Sequence, residues 1–131
     1  MSFEVSAEAY GRFMGRFSEP LSAEFVRLVD PSQGQRVLDV GCGTGALTAV
    51  LARRLGPAAV AAVDPSASFV AAVRKRLPDV RAERAPAERL PFPDGSFDAA
   101  IAQLVVHFMP DPVGGLREMA RVTRPGGTVA A

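Results

Sequence analysis

The 131-residue chain has one cysteine, one histidine and almost no excess of charge. A lone cysteine, Cys42, cannot build a disulfide framework, and such usage fits a reducing, cytoplasmic compartment. One histidine far from one cysteine offers no zinc-ligand spacing, so no metal site is expected. A net charge of +1 gives no electrostatic basis for gripping nucleic acid or an anionic membrane surface. Long apolar runs are also missing: the stretch from Ala58 to Val63 is far too short to span a bilayer. The start, Met1-Ser2-Phe3-Glu4-Val5, has no basic region followed by an apolar stretch, so a secretory signal is not expected. No internal repeat or low-complexity segment occurs. What remains is an ordinary globular composition, 48% hydrophobic and 22% charged, in a chain long enough for one domain with a core.

Residues 1–35 read as a helical lead-in. Leu21, Phe25 and Leu28 recur at helical spacing through Val29, and Asp30-Pro31 ends that element. Strands are predicted at Arg36–Val40, Ala58–Val63, Val80–Ala85, Phe97–Leu104 and Thr128–Ala131. Val80–Ala85 is half polar and belongs near a sheet edge. Between the strands, Leu47, Val50, Leu51 and Leu55 mark one helical face, and Gly56-Pro57 stops that helix. Phe69, Val70, Val73 and Leu77 mark a second, with Ser66 as its N-cap. Val113, Leu116, Met119 and Ala120 mark a third. Pro91–Gly95 reads as a rigid turn that buries Phe92, and Pro125-Gly126-Gly127 as another turn. Strands alternating with helices predict an α/β fold: a Rossmann-like three-layer sandwich around a mainly parallel sheet. The chain stops inside its fifth strand, so it is expected to be truncated there, a fragment of a longer protein, with residues 36–131 forming the core.

The most informative stretch is Val37 to Thr48, a buried strand, a loop with glycines at 41, 43 and 45, and a helix start. Glycines let a backbone pass close to a ligand because no Cβ intervenes. Gly41-x-Gly43-x-x-Ala46 alone also fits a dinucleotide fingerprint, so an NAD(P)-dependent oxidoreductase is the rival reading. Asp39 counts against it. A carboxylate two residues before the loop repels a pyrophosphate and attracts an ammonium or a sulfonium, as S-adenosylmethionine carries. Asp64, about 20 residues further on at the end of the next strand, is placed to accept both hydroxyls of a ribose or to cap a helix. In open α/β sheets ligands bind beyond the carboxyl ends of the strands. The third strand runs into Ala87-Glu88 and the fourth ends near Gln103 and His107. Four successive strand ends thus carry chemistry.

Four segments together resemble the class I S-adenosylmethionine-dependent methyltransferases, in the methyltransferase type 11 group that includes quinone-biosynthesis enzymes. They are Val37–Thr48, Val63–Ser66, Ala87–Asp98 and Arg121–Gly127. The resemblance covers the chain from about residue 36 onward, and Tyr10 to Arg16 resembles the lead-in of a subset of the group. It implies transfer of a methyl group to a small-molecule acceptor, with S-adenosylhomocysteine as product. It implies that Asp39 and the backbone of Gly41, Cys42, Gly43 and Gly45 hold the methionine part, and that Asp64, beside Pro65, holds the ribose. Ala87 would give an N–H to the adenine with Glu88 beside it, and Gln103 would lie near the sulfonium and the acceptor. Tyr10 and Arg16 would close over the methionine end, a guanidinium suiting its carboxylate.

One departure is Pro86, where relatives usually carry Asp or Asn to accept from the adenine amino group. Proline has no such acceptor, so that contact is lost or passes to Glu88, and a binding module without turnover is a third reading. His107 is either a general base for an acceptor hydroxyl or amine, or an ordinary loop residue. Cys42 is not expected to be a nucleophile, and Arg74-Lys75-Arg76 reads as a solvated helix end.

Overall fold

In the computed structural model, which describes residues 19–131, five strands form one parallel sheet. They are β1 (Val37–Val40), β2 (Val60–Asp64), β3 (Arg81–Arg84), β4 (Phe97–Ile101) and β5 (Thr123–Ala130). The helices are α1 over residues 19–29, α2 (Ala46–Leu55), α3 (Ala67–Arg76) and α4 (Pro112–Val122). Strand order is β3-β2-β1-β4-β5, every pairing parallel.

The two-residue side-chain period of the strands sorts the core into two apolar layers. Val37, Val60, Ala62, Ala99 and Ile101 join Val26 of α1, Leu47, Leu51 and Leu55 of α2, and Val70 and Val73 of α3 on one face. Leu38, Val40, Ala61, Val63, Phe97 and Ala100 join Met119 and Val122 of α4 on the other, together with Leu90 and Phe92 from the loop before β4. This is the expected three-layer sandwich. Phe92 is buried as its turn predicts, edge-on to Phe97 with ring centroids 5.0 Å apart.

The crossovers build outward from β1 to β2 and β3, then return across β1 to β4. The direction of winding therefore changes between β1 and β4, which are paired neighbours. A crevice opens beyond the carboxyl ends of two strands at such a switch point. The glycine loop follows one of them and residues 102–105 follow the other.

Several element boundaries depart from the sequence expectation. Pro57–Ala59 forms a single 3-10 turn, and β2 starts only at Val60. Proline favours the first turn of a helix and lacks the N–H a ladder needs. β4 stops at Ile101 because Leu104 takes a positive φ of 59°, which turns the chain out of the sheet. β5 begins at Thr123, five residues earlier than predicted, and absorbs the glycine turn. Thr123 pairs with Phe97 and Thr128 with Ala99, so Arg124–Gly127 bulge out between two ladder positions, where proline and glycine are tolerated. In α1 the inward face is Ser22 and Val26, whereas Leu21 and Leu28 are exposed. Of the expected stripe, Phe25 and Val29 do pack against the core, beside Val26, and Leu21 and Leu28 do not. Ser66 does cap α3, accepting from the N–H of Phe69 at 3.4 Å, and β3 lies at the sheet edge as expected.

Candidate functional site

The loop after β1 is anchored on β2. The N–H groups of Gly41 and Cys42 both donate to the Val63 carbonyl, at 2.8 and 3.0 Å. The next N–H, that of Gly43, donates to Asp64 Oδ2 at 3.0 Å. Asp64 Oδ1 accepts from the Ser66 N–H at 2.8 Å. Asp64 is thus a brace between the loop and the start of α3 rather than the cap of that helix. Each of its oxygens retains a second lone pair, so the brace leaves acceptor capacity for hydroxyls.

Asp39 is sealed inside β1, only 1% exposed. Thr48 Oγ1, in the first turns of α2, donates to its Oδ2 at 2.7 Å. Burial pushes the Asp39 carboxyl up to about 7; the Thr48 hydrogen bond opposes the rise and the charge of Asp64 adds to it. Asp64 is raised as well, again chiefly by burial, with the Ser66 and Gly43 N–H groups opposing. The Cys42 thiol is pushed well up by burial and then by the two carboxylates. A protonated, buried thiol is a poor nucleophile.

Thr48 is a residue that the sequence reading passed over. Its signal was a hydroxyl among the apolar positions of α2, where it is fully buried. Thr48→Val, close to isosteric, is expected to leave one carboxylate oxygen of Asp39 without its donor. The cost should be about 1–3 kcal/mol, larger at about pH 8 than at about pH 5 because the bond favours the ionised form. Urea melts at both pH values would check it, and equal losses would contradict it.

The loop glycines have internal reasons as well as a ligand-facing one. Gly41, Gly43 and Gly45 all take positive φ, at 71°, 55° and 94°. A Cβ on Gly41 would stand 2.7 Å from Val105 Cγ2, and one on Gly45 would stand 3.2 Å from Val73 Cγ2. The loop is therefore packed from behind by α3 and from the β4 side by Val105, which the turn at Leu104 delivers onto it.

The remaining residues lie along the same sheet edge. Gln103, just after β4, donates its amide to Ser22 Oγ of α1 at 3.0 Å, so it ties α1 to the switch point. Ala87 and Glu88 sit half-buried in the loop after β3. Glu88 Oε1 accepts from the Asp111 N–H at 3.4 Å. Pro65 is exposed, and its carbonyl accepts from Arg84 Nε at 2.9 Å. His107 is exposed on a 3-10 turn, its ring against Phe108 with centroids 4.1 Å apart. The structure joins the glycine loop to Asp64 by a direct bond and places Asp39, bonded to Thr48, in the strand that leads into the loop. None of these bonds involves His107, whose ring lies against Phe108. Tyr10 and Arg16 lie outside the described residues.

The donor set has a clear charge character. Among the described residues, the ion pairs involve neither Asp39 nor Asp64. Two buried carboxylates flank a loop of buried and half-buried glycines with no cation of their own. Such a cradle suits a ligand with positive charge and hydroxyls, and repels a pyrophosphate. No group of three or more His, Cys, Asp or Glu suited to a metal occurs among the described residues. Nor is any described helix long and apolar enough to cross a membrane.

Comparison with known proteins gives a consistent picture. A family profile described as a methyltransferase domain matches residues 38–131. The chain is 36% identical over 133 residues to a malonyl-(acyl-carrier protein) O-methyltransferase of Halorhodospira halophila, covering 98% of this chain and 45% of that protein. It is 45% identical over 94 residues to a demethylmenaquinone methyltransferase of Beutenbergia cavernae, covering 72% of this chain and 38% of the relative. A solved structure of an S-adenosylmethionine-dependent methyltransferase from Thermotoga maritima superposes with a TM-score of 0.76 at 29% identity, over 93% of this chain and 56% of that one. The chain spans less than half the length of these two curated relatives.

Proposed function

The chain belongs to the methyltransferase domain family, and from that membership we propose that it binds S-adenosylmethionine and passes its methyl group to a small-molecule acceptor. The observation that carries the reading is the pair of buried carboxylates, Asp39 and Asp64, around a glycine loop whose N–H groups are fixed on β2. Two relatives named for malonyl-(acyl-carrier protein) and demethylmenaquinone support an acceptor of low molecular weight, free or carrier-bound.

When bound, the cofactor supplies a methyl group on a positively charged sulfur that leaves readily. The chain's share is orientation, an effect worth roughly several kcal/mol. Asp39 and the Gly41–Gly45 backbone, Cys42 included, would hold the methionine end. Asp64, already rigid between Gly43 and Ser66, would accept the ribose hydroxyls, with Pro65 alongside. Ala87 would offer its N–H to the adenine, and Glu88 the acceptor that Pro86 lacks. Gln103 would line the acceptor side, with α1 held against it through Ser22. His107 is the one titratable side chain between residues 103 and 109, and it would take a proton from an acceptor hydroxyl or amine.

Calorimetry separates this reading from its rivals. Heat of binding is expected with S-adenosylmethionine and none with NADH; the reverse pattern would sink the proposal in favour of an oxidoreductase. Release of S-adenosylhomocysteine on adding a pool of candidate acceptors would exclude a binding module without turnover.

A further inference from the structure

The loop over residues 86–95 has no strand or helix, yet the adenine contacts assigned above depend on it. Its far half is fastened to the last turns of α4 by Arg121 and Glu118. Arg121 donates to Glu118 Oε1 and Oε2 at 2.7 and 3.0 Å and to Asp94 Oδ1 at 2.8 Å. It also donates to the carbonyls of Phe92 and Leu90, at 2.9 and 3.1 Å. In return, Glu118 Oε2 accepts from the Leu90 N–H at 2.8 Å, and the Arg121 carbonyl accepts from the Gly95 N–H at 2.9 Å. The near half of the loop meets the other end of the same helix. Glu88 accepts from the N–H of Asp111, whose carboxylate caps α4 through Gly114 at 3.0 Å. Ala87 lies against Gly115, its Cβ 3.5 Å from where a Cβ on that glycine would stand.

We propose that Arg121, with Glu118, is the positioning pair of the base-recognition edge: α4 acts as a splint that fixes where the Ala87 N–H and the Glu88 carboxylate stand. This rests on the S-adenosylmethionine reading above and deepens it. A donor on an irregular loop discriminates only if it is held within about 0.5 Å of its working position. Pro86 supplies no side-chain acceptor, so base recognition falls on this backbone N–H and on Glu88, both loop-borne. The pair is also better sheltered than an ordinary surface pair. Arg121 and Glu118 side chains are 33% and 21% exposed, whereas Asp94 is 83% exposed and contributes little. The planar five-donor fork holds Glu118 and three residues of the loop at once, and lysine cannot reproduce it. The Glu118 carboxyl is held below its usual range, first by the Arg121 hydrogen bond.

Three variants test the splint: Arg121→Lys, Glu118→Gln and Asp94→Asn. Hydrogen exchange in the ligand-free protein is expected to quicken across residues 86–95 in the first two, with β1 and β2 unchanged, and to stay as in the parent for Asp94→Asn. By calorimetry, S-adenosylhomocysteine should bind roughly tenfold more weakly to Arg121→Lys. Its preference over S-inosylhomocysteine, which differs only in the base, should fall toward unity. A role confined to stability would lower the melting temperature and leave that preference intact. Unchanged exchange over 86–95, or unchanged base preference in a folded variant, overturns the proposal; Glu118→Gln decides if Arg121→Lys does not fold. If the parent binds neither nucleoside, the methyltransferase reading fails, and the exchange pattern still decides the splint.

Discussion

Asp39→Asn should make the protein more stable above about pH 7 and at the same time remove most of its affinity for a cationic ligand. The folded-state carboxyl sits at about 7 against 3.8 for the free group, chiefly because burial penalises the charge. Between those values the folded protein holds a proton that the unfolded chain has released. Stability therefore falls as pH rises from about 4 through about 7, then levels off. At about 1.4 kcal/mol per tenfold change in proton affinity, the whole effect is at most about 4 kcal/mol. Asparagine keeps an oxygen for Thr48 and cannot ionise, so its melting curve should lose this slope. Urea melts across the range would check it, and parallel slopes for parent and variant would contradict it. The same sign governs binding. A cation beside Asp39 favours the ionised form, so uptake of S-adenosylmethionine expels a proton below about pH 7, and affinity should fall by up to tenfold for each pH step below that point. Calorimetry in buffers of different ionisation heat reads the proton directly.

The second large effect is expected at Gly41→Ala. The residue takes a φ of 71°, a region that costs an L side chain about 1–2 kcal/mol. The new methyl would also meet Val105 at 2.7 Å, adding roughly 1–3 kcal/mol of overpacking. A fall in melting temperature on the order of 10 °C follows, with loss of ligand binding because the loop N–H groups shift. Val105→Ala in the same background should recover the steric part and leave the conformational part. A double-mutant cycle with no coupling between positions 41 and 105 would show that the close approach is not the cause.

These two positions also show what a sequence can and cannot disclose. The place of Asp39 was legible because its signal is local: a charge in an apolar strand two residues before glycines. The strand–helix alternation, the Ser66 cap and the edge placement of β3 were legible for the same reason, since periodicity and capping are read within a few residues. Gly41 was half legible. Its turn could be foreseen, but Val105, 64 residues away, could not. The inward face of α1 was half legible: Phe25 and Val29 pack against the core as expected, but Leu21 and Leu28 repeat as well as Ser22 and Val26 do, and only the sheet chooses between them. Thr48 and Arg121 did not stand out in the sequence because each bonds a partner, Asp39 or the loop over 86–95, that only the fold brings close. The early start of β5 was hidden by Pro125-Gly126-Gly127, ordinary turn residues that here occupy a bulge.

The anchoring of the glycine loop bears on how the molecule is made. None of the N–H groups of Gly41, Cys42 and Gly43 finds its partner within its own strand-turn-helix unit; all three wait for Val63 and Asp64. During synthesis the first strand and its loop leave the ribosome well before those partners do. The signature motif of the chain is thus a late product of folding, silent until the second strand has docked, and a nascent chain would gain its ligand only after that non-local pairing has closed.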